Sequence, residues 1–230
     1  MVAADLDGTL VDSIDQHIKA HYFILNKWGK TFPEPEPVYW TNYFQNTPNA
    51  NFADYCAHIC RDIGLPIDGA AYNDMYSHVA PQLLSHVRYR PGADKAMRLC
   101  KDFGATIGIV TSSPREHIAL MASSPYVRES EMPFDAYDFF VSAEMVGKTK
   151  PHPAPYTYAM RQGWTKPEFT FVIEDSIEGV KSAAGAGVPR DNIAAVYEQN
   201  SAHNKNEIKR YCGQYFDDHS QFIAAIEIGK

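Results

Sequence analysis

The chain has 230 residues, 45% of them hydrophobic, with 21 lysines and arginines against 28 aspartates and glutamates, a formal net charge of −7. That length holds one large domain, or one domain with a smaller insert, and the composition supports a real core and excludes a disordered chain. The acidic balance argues against nucleic acid as a partner, and no apolar run reaches the ~18 residues of a membrane span. The first residues lack the basic and apolar segments of a secretory leader. Cys56, Cys60, Cys100 and Cys212 form no Cys-x-x-Cys pair. They read as buried free thiols, which fits a reducing, cytoplasmic setting. Oligomeric state is not written in the sequence.

Residues 1–7 read as a short strand ending in Asp5-Leu6-Asp7-Gly8-Thr9. Side chains alternate along a strand, so Asp5 and Asp7 face one side. Gly8 then allows a sharp turn and close approach of a ligand. Two such carboxylates repel unless a cation joins them, and a hard cation such as Mg²⁺ suits oxygen donors plus a substrate phosphate. An EF-hand loop is excluded, because glycine stands fourth and the twelfth residue is Gln16. On this stretch alone, a glycosyltransferase Asp-x-Asp stays open.

Residues 14–28 follow with helical spacing, stopped by Gly29. His17 and His21 share a face of that helix but lack the glutamate of a zinc-protease motif, so each reads as a core or surface histidine. Composition then changes. Glu34-Pro35-Glu36-Pro37 reads as a stiff turn or linker. Tyr39, Trp40, Tyr43, Phe44, Phe52 and Tyr55 are interleaved with Asn42, Asn46, Asn49 and Asn51, and helical patterns cover about 52–63 and 70–86. Between Thr31 and His86 the only lysine or arginine is Arg61. The region reads as a helical insert of roughly 60–75 residues, close to the smallest size that holds its own core. The aromatics read as that core; a carbohydrate-stacking surface is the alternative.

Arg90-Pro91-Gly92 breaks the chain, and a helix is predicted over 92–103. Short apolar runs bounded by turns suit buried parallel strands. One such run is Thr106-Ile107-Gly108-Ile109-Val110, closed by the hydroxyls of Thr111, Ser112 and Ser113. Another is 138–142. Lys148-Thr149-Lys150-Pro151-His152-Pro153-Ala154-Pro155 is a loop fixed by three prolines, with a helix through Gln162. Phe169–Ile173 is again a strand, ending in Glu174-Asp175-Ser176 and followed by the small residues Gly179, Ala183, Ala184, Gly185 and Gly187. A strand over 193–197, a polar stretch over 198–212 and a helix over 218–227 complete the chain. Strands alternating with helices predict an α/β fold, a Rossmann-like doubly wound parallel sheet, with ligands beyond the carboxyl ends of its strands.

Four of these stretches, in order, resemble the motifs of the haloacid dehalogenase-like superfamily: Asp5-x-Asp7-Gly8-Thr9, the strand ending in Thr111, Lys150-Pro151-x-Pro153-x-x-Tyr156, and Glu174-Asp175-Ser176-x-x-Gly179. The resemblance covers residues 1–13 and about 90–197, and the insert only in its place and length. It departs at Ala4, where relatives carry phenylalanine after a longer strand, and at Ala154, where they often carry aspartate. It implies a catalytic core of residues 1–13 and 90–230 and a small helical cap of 14–89, closing over the site, of the β-phosphoglucomutase and phosphoglycolate phosphatase kind.

The resemblance also implies a chemistry, Mg²⁺-dependent phosphatase action on a small phosphorylated metabolite such as a sugar phosphate. Asp5 is the implied nucleophile and Asp7 the implied acid and base. Thr111 and Lys150 are the implied partners of the phosphoryl oxygens. Mg²⁺ would be held by Asp5, the backbone carbonyl of Asp7, and Asp175, with Glu174 behind it. Ser112, Arg115 and His17 are the implied substrate-binding groups. Asp7 argues against the dehalogenases and phosphonoacetaldehyde hydrolases of the superfamily. A phosphomutase is the alternative, disfavoured because a mutase must hold a second phosphate and the insert offers Arg61 alone between Thr31 and His86, with Lys19 and Lys27 flanking it. A non-catalytic binding protein on the same scaffold is the remaining alternative.

Overall fold

A computed structural model describes residues 1–47, 51–196 and 205–228. The chain divides into two compact units, residues 1–13 with 86–230 and residues 14–85. The second crossing lies a few residues before the boundary expected at 89/90. Asp12 N–H donates to the Arg88 carbonyl (3.0 Å) and Arg90 N–H to the Leu10 carbonyl (2.8 Å), which ties residues 88–90 to the first unit.

The first unit contains a six-stranded sheet: β1 (Val2–Ala4), β2 (Ile107–Val110), β3 (Phe139–Val141), β4 (Phe171–Glu174), β5 (Ile193–Val196) and β6 (Gln214–Phe216). Their order is β3-β2-β1-β4-β5-β6, and every pairing is parallel. This is the doubly wound arrangement the sequence predicts. Strand order reverses between β1 and β4, which opens a crevice at their carboxyl ends. Although β1 has only three residues, it is buried along its length and pairs on both sides, Ala4 lying opposite Ile109 and Ile173. Helices α5 (Ala93–Asp102), α6 (Arg115–Ser123), α7 (Pro125–Arg128), α8 (Ala154–Gln162), α9 (Ile177–Gly185), α10 (Lys205–Tyr211) and α11 (His219–Ile228) belong to the same unit. Ala3, Val110, Tyr156, Val172, Val180 and Ile193 share one of its hydrophobic clusters.

The second unit is helical: α1 (Ser13–Asn26), α2 (Glu36–Asn46), α3 (Phe52–Ile63) and α4 (Gly69–Leu84). A capping box between Asn51 and Asp54 starts α3, and Gly64 in the left-handed region ends it. Ile24, Leu25, Phe32, Tyr39, Tyr55, Ile59 and Tyr72 form its core. The core reading of the aromatics therefore holds for Tyr39 and Tyr55, while Trp40 stays 38% exposed. Asn49 lies outside the described residues. All four cysteines are free and buried. No helix among the described residues is long and apolar enough to cross a membrane.

This small core also buries polar groups. His21 is 2% exposed and Glu36 5%. Tyr72 Oη lies 2.9 Å from His21 Nδ1, and Tyr55 Oη donates to Glu36 Oε1 at 3.3 Å. Burial, then the neighbouring His17, pushes His21 down to about 3. Burial, only partly offset by the Tyr55 hydrogen bond, lifts Glu36 to about 7. Between those values both groups are uncharged, so their 4.0 Å approach is a contact of neutral groups and not an ion pair.

The folded state thus holds the Glu36 proton more tightly than the unfolded chain. The resulting stability is complete below the ordinary glutamate value and is lost as pH rises toward 7, by about 3 kcal/mol. Glu36→Gln is expected to remove that loss. Denaturant unfolding at pH 5 and pH 8 should show the variant gaining on the parent only at the higher pH. Parallel profiles would count against a buried, proton-holding Glu36.

Candidate active site

The site forms at the crevice between β1 and β4. Asp5 follows β1 directly, and its N–H donates to the Ile173 carbonyl at 2.9 Å, which extends the pairing by one residue. The chain then turns at once. Gly8 has φ +83°, a left-handed conformation that glycine adopts without strain. Its N–H donates to the Val11 carbonyl at 3.0 Å, and the N–H groups of Leu10 and Val11 both return to the Leu6 carbonyl. This tight loop places the Thr9 hydroxyl, fully buried, 3.1 Å from Asp5 Oδ2 and 3.0 Å from Asp175 Oδ1. A hydroxyl carries one proton, so it cannot serve two carboxylates at full strength.

Asp7 is held by three hydroxyls. Ser13 Oγ donates to Oδ1 at 2.7 Å, while Thr111 Oγ1 and Ser113 Oγ donate to Oδ2, each at 2.8 Å. Thr111 stands one residue beyond β2 and also accepts from the Ser113 N–H at 2.9 Å. Its hydroxyl, read from the sequence as a phosphate donor, here satisfies Asp7.

Lys150 reaches the same crevice from the proline-rich loop, its side chain only 5% exposed. Its ammonium contacts Asp5 Oδ1, Glu174 Oε1 (2.6 Å) and the Val110 carbonyl (2.8 Å). Burial draws its pKa down, but the Asp5 and Glu174 carboxylates more than offset this, so Lys150 titrates above the ordinary lysine value and stays charged. Glu174 is completely buried; it also accepts from Tyr156 Oη at 2.6 Å and from Ser176 Oγ at 3.1 Å. Ser176 in turn caps α9 by accepting from the Gly179 N–H. Any side chain at Gly179 would overlap the Glu174 carboxylate, which accounts for the glycine.

Negative charge is crowded here. Burial raises Asp5 well above the usual carboxylate range. Lys150 opposes that shift, and Glu174, Asp175 and Asp7 add to it. Burial, then Glu174, lifts Asp175 to about 7, against the opposing hydrogen bond from Thr9. Asp5, Glu174 and Asp175 each offer an oxygen within 4.8 Å of the others. Lys150, Tyr156 and Ser176 engage Glu174, whereas the Asp5 and Asp175 oxygens that meet at Thr9 share the single proton of its hydroxyl and have room to accept a cation as well. These hard donors fit Mg²⁺.

The structure brings together Asp5, Asp7, Thr111, Lys150, Glu174 and Asp175. It places the other sequence candidates differently. Ser112 is exposed, and Ser113 makes the contact to Asp7. Arg115 opens α6, where its N–H donates to the Glu144 carboxylate (3.0 and 3.2 Å), and it lines a cleft of about 420 Å³ with Ile118, Phe134, Phe140 and Ser142. His17 belongs to the helical unit, with Nδ1 2.5 Å from Tyr76 Oη. Thr9 and Tyr156 stand in the motifs read from the sequence, but their contacts to the site carboxylates were not read there, and Ser13 and Ser113 were given no role.

Known proteins resemble this chain along much of its length. The phosphoglycolate phosphatase of Nitrosococcus oceani is 30% identical over 198 residues, 81% of this chain and 80% of that protein. Hexitol phosphatase B of Escherichia coli is 25% identical over 139 residues, 59% and 60% of the two chains. The bifunctional riboflavin kinase/FMN phosphatase of Arabidopsis thaliana is 26% identical over 193 residues, and the match spans only 46% of its length. Among solved structures, a HAD family hydrolase from Deinococcus radiodurans with bound phosphate and sodium superposes with a TM-score of 0.76 at 22% identity, covering 98% of this chain and 93% of that one. CbbY from Rhodobacter sphaeroides, in complex with phosphate, gives 0.69 at 19% identity, covering 96% and 95%. The haloacid dehalogenase-like hydrolase model matches residues 2–196, a span that takes in every carboxylate, hydroxyl and lysine described above, and the chain belongs to that family.

Proposed function

We propose that this chain is a Mg²⁺-dependent phosphatase that hydrolyses a small phosphorylated metabolite, of the sugar-phosphate class, through an aspartyl phosphate on Asp5. The observation that carries this reading is the placement of Asp5. It is a buried carboxylate held by Lys150 on one oxygen and by Thr9 on the other, with Asp175 facing it and Asp7 two residues on. The names of the relatives, which act on phosphoglycolate or hexitol phosphates, support the substrate class.

The Asp5 and Asp175 carboxylates and the Asp7 backbone carbonyl would hold the cation, with Glu174 behind them. When bound, Mg²⁺ supplies positive charge that cancels the repulsion between a carboxylate nucleophile and an anionic phosphate. Asp5 attacks phosphorus, the bond to the leaving oxygen breaks, and Asp7 delivers a proton to that oxygen. Water then attacks the acyl phosphate, Asp7 takes its proton, and Asp5 is released with inorganic phosphate. Ser13, Thr111 and Ser113 fix the direction in which Asp7 points. Lys150 and the N–H groups of Leu6 and Asp7 offset charge on the equatorial oxygens. Lys150 also opposes the rise that burial imposes on Asp5, which favours the ionised nucleophile.

Phosphate release from a panel of sugar phosphates, phosphoglycolate and FMN tests the proposal. Hydrolysis should need Mg²⁺, stop with EDTA and return when Mg²⁺ is restored. Turnover indifferent to chelation would contradict it. Glucose 1,6-bisphosphate with β-glucose 1-phosphate should yield free phosphate and not glucose 6-phosphate. For a second phosphate the helical unit offers Lys19, Lys27 and Lys30 near its start and, beyond residue 30, the exposed Arg61 alone.

A further inference from the structure

The return strand between the two units does more than carry the chain back. Val11 bridges to Tyr89, and residues 88–90 lie against 10–12 through the backbone bonds of Asp12 to Arg88 and Arg90 to Leu10. At the end of this strap the Arg90 Nε donates to the Gly8 carbonyl at 3.2 Å. Gly8 is the residue whose left-handed backbone makes the catalytic turn. A glycine leaves a turn free to rotate its flanking peptides, because no Cβ opposes the alternative orientations. The peptide between Gly8 and Thr9 is planar, so anchoring its carbonyl fixes the position of the Thr9 N–H and Cα as well. Thr9 is the group that bridges the two carboxylates at 3.1 and 3.0 Å.

A second element backs this arginine. His219, at the start of α11, is 1% exposed, and neither ring nitrogen has a hydrogen-bond partner among the described residues. Burial, then the Arg90 charge, holds it down to about 4 against the opposing pull of Asp218 and Asp94, so the ring is neutral. A Cβ at Gly92 would lie 3.6 Å from the His219 Cβ and 3.3 Å from Ile223 Cδ1, so α11 packs closely beside the strap.

We infer that Arg90 is a positioning residue for the cation site: its hydrogen bond to the Gly8 carbonyl holds the Gly8–Thr9 peptide so that the Thr9 hydroxyl keeps Asp5 and Asp175 facing one another. This rests on the Mg²⁺ site of the proposed function. Arg90 acts through the Gly8 carbonyl, and its effect falls on metal affinity. Losing a group that orients metal ligands weakens binding by about tenfold or more.

The test measures Mn²⁺ binding to the intact, substrate-free protein from the loss of the free aqua-ion EPR signal. The parent, Arg90→Met, Thr9→Val and the double variant are compared, with unfolding midpoints recorded for each. Arg90→Met should raise the Mn²⁺ Kd about tenfold, with kcat at saturating metal and KM for substrate close to parent values. The double variant should bind no more weakly than Thr9→Val, since both changes act on one interaction. Unchanged affinity in Arg90→Met, or full additivity in the double variant, would overturn the inference while leaving the metal reading intact. A parent that takes up no Mn²⁺ would overturn both. Should Arg90→Met fail to fold, Arg90→Lys supplies the same readings, since its ammonium lacks the planar Nε–H that meets the Gly8 carbonyl.

Discussion

Asp5→Asn is expected to lower phosphate release on the order of 10⁴-fold, at any substrate concentration, because it removes the atom that forms the covalent bond. The fold should survive. Asparagine keeps the shape of the side chain, can still accept on its one carbonyl oxygen from either Thr9 or Lys150, and removes one charge from a crowded group in which Glu174 and Asp175 raise the Asp5 pKa. Single-turnover phosphate release, with circular dichroism as the control, makes the measurement. Activity within tenfold of the parent would remove Asp5 from the chemistry.

Lys150→Met has a different signature, because Lys150 is both a catalytic group and the counter-charge of the site. Its ammonium is buried between Asp5 and Glu174, with all three of its protons directed at acceptors. Removing one partner of a buried ionic cluster leaves uncompensated charge and costs about 3–5 kcal/mol. Asp5 is already raised by burial and is held back chiefly by Lys150. Without the lysine it should move higher still. A raised folded-state carboxylate contributes stability that is complete at low pH and is lost as pH rises through its folded value. The variant should therefore be most impaired at neutral and higher pH and should recover part of its deficit on acidification, while staying inactive throughout. An unfolding midpoint equal to the parent's at pH 7 would contradict the compensating role of Lys150.

The contrast between these variants shows which features could be read from the sequence. Strand ends carrying Asp5, Thr111 and Glu174–Asp175 were legible because an apolar run followed by polar groups has one interpretation in a parallel sheet. The partners of the Thr9, Ser13 and Ser113 hydroxyls were not, since a hydroxyl in or near a motif carries no mark of its direction. The Gly8 turn sends Thr9 back to Asp5 and Asp175, and a crossing from β1 to β2 brings Ser113 to Asp7. Glu34–Pro37 read as a linker, yet Glu36 opens α2 with Pro37 in its first turn, a position where a missing N–H costs nothing. Helix α6 gathers its apolar residues in one run, Ile118–Ala122, without helical spacing, α7 has only four residues, and α10 and β6 lie in or beside a polar stretch, so periodicity declares none of them. Arg90 was passed over as part of a chain break before proline. Its meaning depends on Gly8, 82 residues away.

The central claim is that Asp5 accepts the phosphoryl group, and trapping that intermediate tests it most directly. Parent protein quenched during turnover with Mg²⁺ and a hydrolysed substrate, then reduced with borohydride and digested, should yield homoserine at position 5, the alcohol left by reduction of an acyl phosphate on aspartate. The same treatment without substrate should leave aspartate. Phosphate produced in a single turnover with position 5 unmodified, or a phosphoryl group recovered on another residue, would contradict the account.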